Sequence, residues 1–395
     1  ARAATVHREW NASGPELQAL VRAGLVDRDE LDRLVIAKYR EGVCAFAGGG
    51  RHVVRGVLDH AVDASGLLSL VRRRAETAGV VYLDGHAVVS HAAGRDRVAV
   101  RLARGGTTRE LLARVMVDAR GVASSSACAD LVCPTVGGVL AGLAEGDGPD
   151  EVDPAVGEIL ATIDGVDEGR QHVWEAFPGR SGETTVYLFY YGRDAEPASL
   201  AQLYARFFER RASYKRGDAR LVRPTFGFIP GWSRLTPAPR SAHRRVVLVG
   251  DAAARHSPLT FCGFGAMLRS IVPAADAIAS LAEDRSGESR APAVAHDAPI
   301  HALTGALAVL MASRGFEGQA LNELLDAAFS TLGGMGNQAY ASLLQDEMRP
   351  AEFARFLWRL AERHPSVWAR AMRGMGLGPA ARWALTVASS LLASP

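Results

Sequence analysis

Asp251 is the residue of this chain best placed to do chemistry. It ends the run Val246-Val-Leu-Val-Gly-Asp251, and a loop carrying Pro258 leads from it to Gly263-Phe-Gly265 and an apolar, helix-like stretch. Val246 to Val249 are all β-branched or leucine, which suits a strand buried on both faces. Gly250 lets the backbone turn or approach another group closely. Asp251 is thereby set at the carboxyl end of a buried strand, where open α/β sheets place their ligands. Gly263 and Gly265 leave backbone N–H groups uncovered at a helix start, a position that favours negative charge. The plain alternative is a strand-turn-helix corner with a solvated aspartate. A Gly-Asp pair alone would leave that alternative ahead; the whole string points to ligand binding.

The elements that hold Asp251 follow from local pattern. Residues 15–22 and 29–40 are expected as two short helices, the second capped by Asp27 or Asp29. Residues 63–79 form a helix from the capping Asp63 to Gly79, with Leu67, Val71, Ala75 and Ala78 on one face. Arg72, Arg73 and Arg74 are a solvated face near its end rather than a nucleic-acid patch. Strands at 80–83, 87–91, 98–102 and 114–117 are expected as an antiparallel meander between glycine and aspartate turns. The last runs into the turn Val117-Asp118-Ala-Arg-Gly121-Val-Ala-Ser124. Gly48-Gly-Gly50 is followed by Arg51-His-Val-Val54 rather than by a helical pattern, so it is a loop. From residue 133 to about 229 the chain is strand-rich, with aromatic residues at Trp174, Tyr187, Tyr190 and Tyr191 and a strand over 184–191. Beyond residue 269 helices are expected at 302–312, 320–332, 340–346, 351–363 and 380–392, after a connecting loop at 284–299. The last helix is apolar on several sides; core or partner packing is the expectation and peripheral contact with a membrane interface the alternative.

Composition narrows the class. Apolar content of 48% and charged content of 22% are those of an ordinary globular protein. A net charge of +2 is too small to argue for nucleic acid. With 395 residues the chain buries a large core, expected as two intimately joined domains. Cys44, Cys128, Cys133 and Cys262 show no metal-ligand spacing and are expected as reduced thiols in a cytoplasmic setting, with no metal site. No unbroken apolar run reaches the roughly 18 residues expected of a membrane-spanning helix.

The Gly-Asp string resembles the second flavin motif of the glutathione-reductase-like FAD enzymes, which include aromatic hydroxylases, geranylgeranyl reductases, flavin halogenases and lycopene cyclases. Its segment Ser257-Pro-Leu-Thr-Phe-Cys-Gly-Phe-Gly265 is most similar to the CruA/CruP-type lycopene cyclases. His7-Arg-Glu-Trp-Asn11, Cys133-Pro-Thr-Val-Gly137, Trp174-Glu-Ala-Phe-Pro178 and Phe226-Gly-Phe-Ile-Pro230 resemble the same branch, and the likeness weakens after about Gly336. The resemblance implies an α/β (α+β) protein with a glutathione-reductase-like FAD/NAD(P)-binding fold. Residues 1–132 and 236–283 would make the FAD-binding domain, 133–235 a β-rich substrate domain and 284–395 a helical carboxyl-terminal region. It implies FAD as cofactor, with Asp251 on the ribityl chain, Gly250, Pro258, Gly263 and Gly265 around it, and the helix start aimed at the flavin ring. Asp118 and Gly121 match a D-A-x-G-x-x-S motif that the family carries close to FAD. The family opens with a strand, a Gly-x-Gly-x-x-Gly turn and a helix, which hold the ADP half. No such turn occurs here. The expectation is a fold lacking its first βαβ unit through amino-terminal truncation, with a degenerate relative as the alternative.

The reaction this resemblance implies is the redox-neutral cyclisation of a linear carotene, a lipophilic small-molecule substrate. A carboxylic acid protonates the polyene end, a carbocation forms, the ring closes and a proton is lost. Burial keeps such an acid protonated, and aromatic faces stabilise the cation. The plant-type cyclases supply the acid from a Phe-Leu-Glu-Glu-Thr strand, where this chain has Tyr187-Leu-Phe-Tyr-Tyr191. Glu175, beside Trp174 and Phe177, is the first candidate acid and Glu183 the second; a surface carboxylate at a strand end is the plain alternative for each. The aromatic strands serve equally well as an ordinary sheet core. Two other functions stay open: a geranylgeranyl-reductase-like flavin reductase or monooxygenase, and a non-catalytic truncated relative. Halogenation is disfavoured by the lack of a Trp-x-Trp-x-Ile-Pro string.

Overall fold

Capping chemistry starts the first helices. β1 (Trp10–Ala12) leads through Ser13 into α1 (Gly14–Arg22), and Glu16 accepts a hydrogen bond from the Ser13 N–H at 2.9 Å. Asp27 caps α2 (Arg28–Leu34), accepting from the Glu30 N–H at 2.7 Å while Glu30 accepts from the Asp27 N–H at 2.8 Å. The helix expected over 29–40 therefore starts as anticipated, but it stops at Leu34. Val35 and Ile36 are β-branched and continue as β2 (Val35–Lys38), which pairs with β5 (His60–Val62) after β3 (Glu41–Ala45) and β4 (Arg51–Val54). The three glycines at 48–50 form the β3–β4 turn. α3 (Ala64–Thr77) is capped by Asp63 and ends at Gly79, whose φ is 88°.

The computed structural model describes residues 10–124, 129–180, 182–193, 199–235, 245–254, 256–260, 262–284 and 299–392. Most of the loop expected at 284–299, and Cys128, lie outside them. The meander differs from expectation at both ends. Residues 80–83 form no strand, and Val81 is 78% exposed. The three strands are β6 (Ala87–Ala93), β7 (Val98–Arg104) and β8 (Thr107–Ala113). β8 is exposed along nearly its whole length, so no alternation of apolar and polar residues marks it. β9 (Met116–Asp118), expected as the fourth meander strand, instead pairs elsewhere.

A long antiparallel run makes the main sheet. It contains β10 (Leu131–Leu143), β11 (Val156–Ala161), β12 (His172–Pro178), β13 (Glu183–Tyr190) and β14 (Gly192–Arg193). After α4 (Leu200–Tyr214) the chain returns as β15 (Gly217–Gly231), which lies along β10. The order from β10 is β13, β12, β11, β3, β4, with the β11–β3 pair parallel. The sheet thus takes two strands from upstream of residue 133. Alternation along β12 and β13 divides its side chains. Trp174, Ala176, Val186, Leu188 and Tyr190 face α4, while Val173, Phe177, Tyr187 and Phe189 face the opposite core.

β16 (Val246–Leu248) and α5 (Gly263–Glu283) follow, then α6 (Pro299–Met311), α7 (Ala320–Met335), α8 (Asn337–Leu344), α9 (Pro350–Arg363), α10 (Pro365–Met375) and α11 (Leu377–Leu392). α10 was not expected; Pro365 sits in its first turn, where the ring is tolerated. These six later helices share one core with the Phe177 and Phe189 face of the sheet. α11 buries Ala380 and Trp383, and the Trp383 indole donates to the Leu303 carbonyl at 3.0 Å, so this face packs in the core. α5, with 21 residues and an 18-residue window of mean hydropathy 1.3, is long and apolar enough by length and composition to cross a membrane. Arg269 and Asp276 interrupt it, so the expectation that no unbroken apolar run reaches that length stands.

Candidate functional site

Two sequence motifs more than a hundred residues apart meet through one parallel strand pair. β9 and β16 pair in the register Met116–Val246, Val117–Val247, Asp118–Leu248. Both strands end in a glycine turn of one 3-10 helix, Gly121–Ala123 and Gly250–Ala252. Gly121 and Gly250 each have φ of 58°, a backbone conformation that other residues adopt only with strain. The turns lie against each other: a Cβ added at Gly121 would stand 3.7 Å from the Asp251 Cβ.

The pair opens on a cavity of about 640 Å³, well within the usual range for small-molecule sites. Gly121, Gly250, Asp251 and Gly263 line one side; Glu175, Phe177, Tyr187 and Phe189 from the main sheet line the other. Asp251 is exposed into this space. α5 begins at its wall, and the N–H groups of a helix's first turn have no partner within the helix. Glu175 is half-buried on β12 opposite Tyr187. Burial pushes two nearby thiols up, Cys44 to about 12 and Cys133 well above its ordinary value. Both stay protonated and unreactive. Cys44, Cys133 and Cys262 are free.

Other residues singled out from sequence lie elsewhere. Asp118 is buried and its carboxylate closes its own turn, accepting from Arg120 at 3.0 and 2.8 Å and from the Ser124 hydroxyl at 2.7 Å. Hydrogen bonds from the Arg120 guanidinium hold its pKa down at about 2. Pro258 packs on β15, where a Cβ at Gly231 would come within 2.6 Å of it. Gly265 is the point of closest approach between α5 and α1: a Cβ there would run into the Glu16 carboxylate, which is itself paired with Arg269. Glu183 is at the hairpin turn, its N–H donating to the Arg180 carbonyl at 2.8 Å. It is four residues from Tyr187, or about 13 Å along the strand, and does not line the cavity. Trp174 points away from Glu175 and packs on Phe207 and Tyr214 at ring-centroid distances of 5.6 and 5.0 Å.

Three cavity residues and their support were not singled out in advance. His256, Thr260 and Cys262 line the space. Burial pushes the His256 imidazole below its ordinary range, against the pull of Asp251 and Asp346, so it is neutral at pH 7. Asp346 is fully buried at φ 58° and holds the loop from below. It accepts from the Ser257 N–H and the Thr260 hydroxyl, each at 3.2 Å, and stands 3.4 Å from His301 Nε2. His256 lies inside the Gly-Asp string, so its place was legible. Asp346 lies about ninety residues beyond, with no local signal. Among the described residues no cluster of His, Cys, Asp or Glu is placed to hold a metal.

No family model matches the sequence, and no curated protein sequence matches it. Solved structures do match. A triple mutant of the flavin-dependent brominase Bmp2 aligns with TM-score 0.57 at 14% identity, covering 92% of this chain and 91% of that one. The halogenase PltM aligns with TM-score 0.58 at 12% identity, covering 98% and 88%. RebC soaked with chromopyrrolic acid aligns with TM-score 0.54 at 15% identity, covering 87% and 69%. Identities this low establish shared architecture and no more: the chain has the α/β fold on which the flavin-dependent brominase and these other proteins are built.

Proposed function

We propose that this chain is a FAD-dependent enzyme acting on a lipophilic substrate, with lycopene-cyclase-like, proton-initiated cyclisation as its reaction. One observation carries the proposal: a single cavity has Asp251, two positive-φ glycines and a helix start on one wall, and Glu175 among aromatic side chains on the other. The fold shared with a flavin-dependent brominase supports the cofactor. The residues present fit the flavin half of FAD. Asp251 accepts hydrogen bonds from ribityl hydroxyls, Gly121 and Gly250 bring backbone close without side chains, and the α5 start favours negative charge on the ring. FAD, when bound, supplies a redox-active ring whose reduced form places negative charge near the substrate.

Glu175 performs the proton step. Its O–H bond breaks as a C–H bond forms at the terminal double bond of the polyene. The cation closes onto a neighbouring double bond, and a ring C–H proton returns to the carboxylate, so the product is an isomer of unchanged mass. Phe177, Tyr187 and Phe189 exclude water and turn π-faces to the positive charge. A second reading, a flavin-dependent monooxygenase or reductase on a similar apolar substrate, is favoured by the fold neighbours, which include a brominase and a halogenase. Product mass decides between them. Cells that accumulate lycopene and express the protein should yield an isomer; added hydrogen or oxygen would replace cyclisation by the second reading. Glu175→Gln should lose about 10²–10⁴-fold in product with flavin content intact, and Glu183→Gln should not. Full activity in Glu175→Gln would remove that residue from the chemistry.

A further inference from the structure

A second cavity, of about 100 Å³, lies inside the helical region. Leu325 and Ala328 on α7, Phe356 on α9 and the stacked pair Trp368–Trp383 line it, and no polar atom faces it. Protein interiors rarely leave voids larger than a water molecule, and an apolar space of this size stays dry and accepts apolar ligands. The stretch 257–260 touches it, with Leu259 and Thr260 in its lining. Thr260 faces both spaces. That stretch is held by side chains from two directions: the Tyr191 hydroxyl donates to the Leu259 carbonyl at 2.7 Å, and Asp346 accepts from Ser257 and Thr260.

We propose that the helical cavity is a subsite for the end of a linear hydrocarbon chain whose reacting end lies beside Glu175, and that it sets the chain length the protein accepts. This rests on the reading of the larger cavity as a lipophilic substrate site. The chain passes at Thr260, where the two spaces adjoin. An entirely apolar lining suits a methylene or polyene tail, because it offers no partner to a hydroxyl or a charge. Ala328 is the gauge: its short side chain leaves the room that a larger residue would take.

The test uses a series of n-alkan-1-ols brominated at the terminal carbon, since bromine quenches tryptophan fluorescence on contact. Trp10 lines the larger cavity, and Trp368 and Trp383 line the helical one. Because the chain has six tryptophans, each signal is read by difference: the quenching lost in Trp10→Phe is the first, and the quenching lost in the Trp368→Phe/Trp383→Phe double variant is the second. Short chains should quench Trp10 alone. Beyond a threshold length the bromine should leave Trp10 and quench the Trp368–Trp383 signal instead. Ala328→Phe should weaken the longest chains at least tenfold and leave the short ones within twofold. Quenching at Trp10 with none at the Trp368–Trp383 pair, at any length, overturns the tail subsite alone. Quenching of the pair by short chains as strongly as by long ones also overturns it, by making the cavity a separate small-hydrophobe site. No quenching at Trp10 by any chain counts against the larger cavity as a lipophilic site and so against both. If Ala328→Phe does not fold, the length dependence in the unmodified protein decides; if it folds and binds long chains unchanged, the proposal fails.

Discussion

Asp118 and Asp251 end adjacent parallel strands and do different work. Asp118 is enclosed by Arg120 and Ser124, and its pKa is held at about 2. A carboxylate whose folded-state pKa is depressed stabilises the fold above its unfolded value, near pH 4, and that stabilisation is lost as pH falls through about 2. The displacement corresponds to about 2 kcal/mol. Urea unfolding followed from pH 5 to pH 2 should show a decline that Asp118→Asn flattens; identical pH curves for the two proteins would mean the carboxylate is not held this way. Asp251 is open to the cavity, and the proposed function gives it a role in binding instead. Asp251→Ala should weaken FAD binding by about 0.5–1.5 kcal/mol, a loss of one hydrogen-bond acceptor, read by fluorescence titration. Unchanged affinity in a folded variant would reduce Asp251 to a corner residue.

The two glycines that open α5 separate at the level of elements. Gly265 sits where α1 crosses α5, with the Glu16 carboxylate over its backbone. Burial raises the Glu16 pKa, and Arg269 opposes that rise from one turn along α5. Gly265→Ala inserts a methyl into this packed crossing and should cost about 1–3 kcal/mol, seen as a lower melting temperature. Gly263 has 3.7 Å to the nearest atom, on His256, which is ordinary contact for a methyl group. Gly263→Ala should therefore melt close to the parent while weakening ligand binding, because it narrows the cavity wall. Equal melting temperatures for the two variants would count against the crossing. The motif's glycines were visible in the sequence as a pair. Their different duties were not, because α1 lies some 250 residues earlier.

Across the whole molecule, the helical region and the Gly-Asp motif are joined through Asp346. It reaches from the turn after α8 to the loop whose Thr260 faces both cavities. Removing it leaves the buried Ser257 N–H without an acceptor, which costs about 1–3 kcal/mol. Asp346→Ala should lower stability and also weaken binding in the larger cavity, since the loop carrying His256 and Thr260 loses its anchor. Asp346→Asn keeps one acceptor oxygen and should recover part of both. A stability loss with binding unchanged would show that the loop keeps its shape without this tether.

Local physics made much of this molecule legible from sequence. Caps at Asp27 and Asp63 announce helices, the β-branched run before Gly250 announces a strand, and the glycines at 121, 250, 263 and 265 mark where backbone must turn or be approached. Those signals act within a few residues, so the sequence by itself determined the Gly-Asp turn and the aromatic strand β13. It did not determine which side of β12 and β13 faces a ligand. Period-two alternation separates Trp174 from Glu175 and Tyr190 from Phe189, but only the packing of α4 on one face assigns Trp174 and Tyr190 to that core. Helix 29–40 shows the same limit: its helical pattern yielded after Leu34 to pairing with β5. The meeting of Gly121 with Asp251, the distance of Glu183 from the cavity and the place of Asp346 beneath Thr260 were decided by tertiary structure alone. Each is a contact, or the lack of one, between segments brought together by strand pairing and helix packing, and no short-range preference of the chain encodes it.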